Sequence, residues 1–348
     1  MEIEQKYMVC TSCMTYNQSQ YIVDTMNGFS MQDTTFPVIN LILDDASTDG
    51  APDVILCYLT DYFETPYCDR ETEDYRLICA KHKKNPNCTF VVFFLKYNHY
   101  SIKKTKIPYQ AEWINNAKYI AFCEGDDYWN APLKLQKQVD FMETHPEYDM
   151  VTTASMIYEQ GVGMKKGTYG HEYRGIQDLL AGNYIYYASI LQRKSLEDRY
   201  IQEVGYHADW KMGDWPRILH CAIVSKIGYI DEPMTVYRVL LNSASHFDCF
   251  EKFKEFNENS VQVAKFLIDR YNLKGDELYS ILDNWLNRRL LMKACSLGDW
   301  EIVRQYRHKV RDLSAKERFL VVLLSNPFSN SIYKIYKTVR FSFRRRAK

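Results

Sequence analysis

Apolar runs alternate with amphipathic stretches from the start of the chain to about residue 240, and the alternation predicts the fold class. Tyr7 to Cys13 reads as a strand, the polar turn TYNQSQ follows, and Tyr21 to Met31 has the spacing of a helix. Val38 to Leu43 is a second strand that ends in Asp44 and Asp45, and Ala51 to Phe63 is again helical. Further strands are expected at Phe90 to Leu95, at Lys118 to Cys123 and near Met150 to Ala154. Past Pro132, Leu135, Val139 and Met142 share one helix face. Strands alternating with helices predict an α/β fold with a mostly parallel sheet, whose ligands sit beyond the carboxyl ends of its strands. The charged segment from Glu64 to Cys88, with Pro66 and Pro86, reads as an inserted loop or helix. A short helix is expected near Ile176 to Leu180, and a helix and a final strand after Asp214. From Phe250 to Leu324 the pattern is helical throughout.

Composition adds limits. The 348 residues are 15% aromatic, with 28 Tyr, which is ample material for a core. No apolar stretch approaches the ~20 residues that a bilayer-spanning helix needs, and MEIEQKYMVC has acids where a signal peptide has bases; a cytoplasmic protein is expected. The ten Cys lie scattered through apolar runs and are expected as free thiols; Cys10 and Cys13, inside the first strand, are expected to pack in the core. The net charge of zero conceals an asymmetry. Ser331 to Lys348 holds seven bases and no acid, which leaves 37 bases against 44 acids elsewhere. That tail is amphipathic: Ile332, Ile335, Tyr336, Val339 and Phe343 fall on one side, and Lys334, Lys337, Arg340 and Arg344 on the other. It suits the surface of an anionic membrane.

The candidate chemistry lies in two acidic clusters that follow apolar runs, LILDDASTDG (Leu41 to Gly50) and YIAFCEGDDYW (Tyr119 to Trp129). Carboxylates delivered on strand ends suit a divalent cation and a phosphorylated ligand, because a hard cation takes oxygen ligands and bridges to phosphate oxygens. Asp45, Ser47, Asp49 and Gly50 open like a calcium loop, but Leu56 stands where its bidentate Glu belongs, so a nucleotide site is the better reading. Asp126 and Asp127 can serve a ribose hydroxyl and a metal separately, and Gly125 permits close backbone approach. Asp214, between Gly213 and Trp215, reads either as a helix cap or as a general base. His246 could add a nitrogen ligand to a metal. The chain has no GxxxxGK, no GxGxxG and no nucleophile elbow, which argues against P-loop ATPases, Rossmann dehydrogenases and serine hydrolases.

Taken in order, TYN (Thr15 to Asn17), LDDASTDG, EGDDYW with PLKLQKQVDFMETHPEY, GDWPRILH and YRV resemble a bacterial family 2 glycosyltransferase of the GT-A fold, over about residues 7 to 240. The resemblance implies an inverting transfer from a nucleotide sugar, usually a UDP-sugar, to the hydroxyl of a saccharide or lipid-linked acceptor, with Mn2+ or Mg2+ as cofactor. It implies that Tyr16 lies against the base, Asp45 binds uracil, Asp126 the ribose and Asp127 the metal, that His246 is a further metal ligand and that Asp214 is the base. It also implies a role in surface polysaccharide or glycolipid synthesis at the inner face of the plasma membrane, with no nucleic acid partner. The expected organisation is a transferase domain over 1–245, a helical appendage over 246–326 and a basic amphipathic tail over 327–348. A nucleotidyltransferase and a catalytically silent sugar-nucleotide-binding scaffold are the alternatives. The first should carry a Gly-rich basic phosphate loop, and Thr15 to Gln20 has neither Gly nor Lys.

Overall fold

The computed structural model describes residues 6–241, 247, 249–331 and 333; His246 and nearly all of the basic tail lie outside them. By its contacts the chain divides into two units. The first comprises residues up to 174 with 184–209 and 217–241; the second comprises 175–183, 210–216 and the chain from 242 onward.

In the first unit, β1 (Tyr7–Thr15), α1 (Ile22–Ser30), β2 (Val38–Asp44) and α2 (Ala51–Tyr62) realise the expected rhythm. Next come β3 (Cys68–Glu71), β4 (Tyr75–Lys81), β5 (Cys88–Leu95), α3 (Ile107–Ile114) and β6 (Ala117–Phe122). After them run β7 (Tyr128–Trp129), α4 (Lys134–Thr144), β8 (Met150–Glu159) and β9 (Gly163–Met164). One sheet holds all these strands, with β10 (Leu191–Arg193) and β11 (Ile227–Val239), in the order β3-β4-β5-β2-β1-β6-β10-β8-β11-β7, and β9 pairs with β8. Its centre, β5-β2-β1-β6, is parallel, and β2 is buried along its whole length because both faces are covered. Antiparallel pairs extend the sheet on both sides: β3 and β4 beyond β5, and β10 between β6 and β8. This mixed sheet flanked by helices is the GT-A-like fold expected.

The segment expected as a loop or helix, Glu64 to Cys88, is instead the hairpin β3-β4. Its outer strand is short and charged, with Asp69 paired to Arg76, a composition that keeps an exposed sheet edge from recruiting another strand. Successive residues of a strand point to opposite faces, so Cys10 and Cys13, three apart on β1, enter the two different cores on either side of the sheet. All ten Cys are free.

The division between the units falls within α7 (Asp214–Val224), whose first three residues group with the second unit. The second unit also contains α5 (Ile176–Ala181), α8 (Phe250–Arg270), α9 (Gly275–Leu297), α10 (Trp300–Tyr306) and α11 (Ala315–Leu324); α6 (Lys194–Glu203) belongs to the first. The helical core closes on Phe250, Leu290, Leu291, Ala294, Val303, Val321 and Leu324. Asp299 caps α10, and Ser314 and Glu317 form a reciprocal capping box at α11. Among the described residues no helix is long and apolar enough to cross a membrane.

Candidate functional site: a carboxylate cluster at the strand ends

Because β5, β2, β1 and β6 run parallel, the residues that follow them emerge on one edge of the sheet. The connections from β1 to β2 and on to β5 travel in one direction, whereas β6 lies on the other side of β1, so strand order reverses between β1 and β6. Such a reversal opens a crevice where ligands bind. At this reversal Tyr16 to Gln18 follow β1 and Glu124 to Asp127 follow β6.

Backbone bonds continue the ladder past the strands and set this geometry. The N–H of Cys123 donates to Ser12 O at 3.2 Å, and that of Gly125 to Met14 O at 2.9 Å. A Cβ on Gly125 would stand 2.6 Å from Thr15 Oγ1 and from Gln18 Oε1, so the close passage of the two loops requires glycine there. Glu124, Asp126 and Asp127 each offer a carboxylate oxygen within 4.8 Å of the others. Asp127 is 5% exposed, and burial, followed by the neighbouring Asp126, pushes its carboxyl well above the usual range. Burial likewise raises Asp126, against a hydrogen bond from Gln18. Three clustered oxygen donors, two of them, Asp126 and Asp127, with their charge penalised by burial and Glu124 exposed beside them, fit a hard divalent cation, which would relieve the repulsion between them.

Residues distant in sequence hold the turn in place. Arg238 on β11 donates its backbone N–H to Asp127 Oδ1 at 2.7 Å and its guanidinium to Asp126 O at 2.8 Å. The same guanidinium pairs with Asp24 and lies over Tyr128, 4.4 Å from the ring centroid. Thr25 on α1 donates to Gly125 O and Asp127 O. Sequence reading placed Arg238 inside the YRV motif but gave it no task, and did not single out Gln18 or Thr25. Only the register of β11 on β7 and β8 brings Arg238 here.

On the other side, the loop after β1 is laced to the loop after β2. Asn17 N donates to Ser47 Oγ at 2.8 Å, Thr48 N to Asn17 Oδ1 at 2.8 Å, and Ser19 N to Asp49 Oδ2 at 2.8 Å. This leaves Tyr16 on the rim, 46% exposed. Asp45 is buried, and its carboxylate accepts the backbone N–H groups of His99 and Tyr100, at 2.7 and 3.1 Å, and pairs with Lys106 Nζ at 2.8 Å. It therefore fixes the loop after β5 against the loop after β2. Asp44 points to the opposite face and closes the turn by accepting Ser47 N.

The structure thus brings Tyr16, Asp45, Asp126 and Asp127 to one sheet edge. Asp214 lies in the first turn of α7, on a segment that rests on α8. There Trp215 Nε1 donates to Ser260 O at 3.2 Å, Lys211 N donates to Asn259 Oδ1 at 2.9 Å, and Trp210 meets Phe266 edge to face.

No protein-family model matches the chain. An uncharacterised protein of Mycobacterium tuberculosis strain H37Rv is 30% identical over 233 residues, 65% of this chain and 57% of that protein. TuaG of Bacillus subtilis, provisionally named a teichuronic acid biosynthesis glycosyltransferase, is 26% identical over 181 residues, 52% of this chain and 60% of TuaG. The chain therefore spans about 57 to 60% of the curated relatives it matches. Among solved structures, residues 1–349 of S. aureus TarS in complex with UDP superpose with a TM-score of 0.52 at 16% identity, covering 97% of this chain and 91% of that one. The likeness to TarS is one of fold.

Proposed function

We propose that the chain is a glycosyltransferase that moves a sugar from a nucleotide sugar, a UDP-sugar in the first instance, to an acceptor hydroxyl with inversion at the anomeric carbon. The observation that carries this reading is the clustering of Glu124, Asp126 and Asp127 at the crevice between β1 and β6 of a GT-A-like sheet. The UDP complex of a protein of the same fold and the name of the Bacillus subtilis relative support it.

In this reading Tyr16 lies against the base, and Asp45 meets the base while it holds the His99 to Lys106 loop beside it. Asp126 takes the ribose, and Asp127 the metal. His246 is a further metal ligand on sequence grounds alone. Mn2+ or Mg2+, when bound, neutralises the diphosphate and so makes it a better leaving group. Asp214 accepts the proton of the acceptor hydroxyl, and since the chain needs no covalent nucleophile, one in-line displacement inverts the centre. We further assign residues 1–245 to transfer, 246–326 to the helical appendage and 327–348 to peripheral contact with the inner face of the plasma membrane. The acceptor is a saccharide or lipid-linked saccharide of a surface polysaccharide.

Asp214→Asn tests the assignment of the base. Sugar transfer should fall by roughly a thousandfold, while UDP and Mn2+ binding stay within a few-fold of wild type. Equal loss of binding would place Asp214 in the nucleotide site instead. Nucleotide binding with no release from any sugar nucleotide would favour the silent scaffold.

A further inference from the structure

Three of the most exposed large apolar side chains lie within ten residues near the end of the described helices: Phe319 at 71%, Val322 at 71% and Phe328 at 77%. Ordinary folding leaves single apolar residues on a surface, not a strip of them. On α11 the strip has a defined shape. Ala315, Phe319 and Val322 follow one another at spacings of four and three, which puts them on one exposed face. Lys316 and Arg318, both exposed, lie on either side of that face at the helical periodicity.

The opposite face is committed to the helical core. Val321 and Leu324 are buried, and Glu317, the helix's only acid, turns toward α9, where Arg288 reaches it at 2.8 Å. Arg288 and Ser314 hold its carboxyl at a pKa of about 2. The outward face thus carries no acid. Nor does any later residue: after Glu317 the sequence has Arg318, the seven bases of Ser331 to Lys348, and no Asp or Glu.

We propose that the exposed Phe319 and Val322 face of α11, with the exposed Phe328 following it in the chain, docks on an anionic lipid bilayer. The apolar strip inserts among the acyl chain ends while Lys316 and Arg318 extend their amines and guanidinium to the headgroups. The charge argument selects this occupant. A bare apolar strip would suit a second copy of the chain, but a strip flanked by bases and followed by a wholly basic segment meets its own charge in such a copy and the opposite charge in an anionic leaflet. The surface deepens the peripheral membrane contact proposed above, and it requires nothing of the transfer reaction.

The test is flotation of the full chain with vesicles of phosphatidylcholine, alone or mixed with phosphatidylglycerol. Wild type should float with the mixed vesicles only. Phe319→Ser/Val322→Ser should reduce binding by roughly tenfold, with the thermal midpoint unchanged because both sites are exposed. Deletion of Ser331 to Lys348 should leave residual flotation that the double substitution abolishes, which separates this surface from the tail. Phe319→Trp gives a second reading, in which its emission should shift to the blue on the mixed vesicles. Undiminished flotation of the double variant would overturn the proposal. So would an emission unmoved by lipid, or a wild type that ignores vesicles and forms dimers that the double variant dissolves.

Discussion

Gly125 is where a single methyl group decides the geometry of the carboxylate cluster. An alanine Cβ would stand 2.6 Å from Thr15 Oγ1 and Gln18 Oε1, so the turn must retreat from the loop after β1 and Asp126 loses the Gln18 contact. Gly125→Ala should cost about 1–3 kcal/mol of stability, as overpacked sites do. Calorimetric titration of the variant should show weaker nucleotide binding, while retained affinity would mean that the turn does not position the ligand. At this scale the acidic motifs were legible, because EGDD and LDD stand out against apolar runs. Arg238, Thr25 and Gln18 were not. They act through a backbone N–H, a hydroxyl and an amide supplied from a distant strand, helix and loop, and no local pattern announces such contacts.

At the scale of elements, α4 shows what periodicity reveals and what it hides. Its apolar face of Leu135, Val139 and Met142 was read directly from the spacing, and all three are buried. The pattern gave no hint that Lys134 is buried as well. Its Nζ lies over the Trp129 ring, 4.2 Å from the centroid, and donates to Gln138 Oε1 at 2.7 Å. Burial lowers its pKa from 10.5 to about 7. Between those values the unfolded chain binds the proton and the folded chain does not, so stability rises with pH across that window, by at most about 1.4 kcal/mol per unit. Lys134→Met removes this term. The stability of wild type relative to the variant should therefore increase from pH 7 to pH 9 in urea unfolding; a constant difference would show that the lysine keeps its proton. The β3-β4 hairpin escaped sequence reading for another reason: its edge strand has charged residues where an internal strand has apolar ones.

For the whole molecule, the parallel centre of the sheet followed from the strand and helix rhythm. Its antiparallel extensions did not, since β10 is only three residues long and pairs across great sequence distances. The grouping of residues 175–183 and 210–216 with the C-terminal helices was equally invisible, because it depends on packing between segments and not on the composition of either. What the fold achieves is to bring Tyr16, Asp45 and three clustered carboxylates to one edge, where burial disfavours the charge of Asp126 and Asp127, a penalty that a bound cation would relieve. Calorimetric titration of the full chain with UDP, with Mn2+ and with chelator, for wild type and Asp127→Asn, measures that directly. The account predicts UDP binding that requires the metal, weakens as pH falls and the carboxylates take up protons, and drops at least about tenfold in the variant. Binding of equal strength in chelator, or unaffected by the loss of the Asp127 charge, would contradict it.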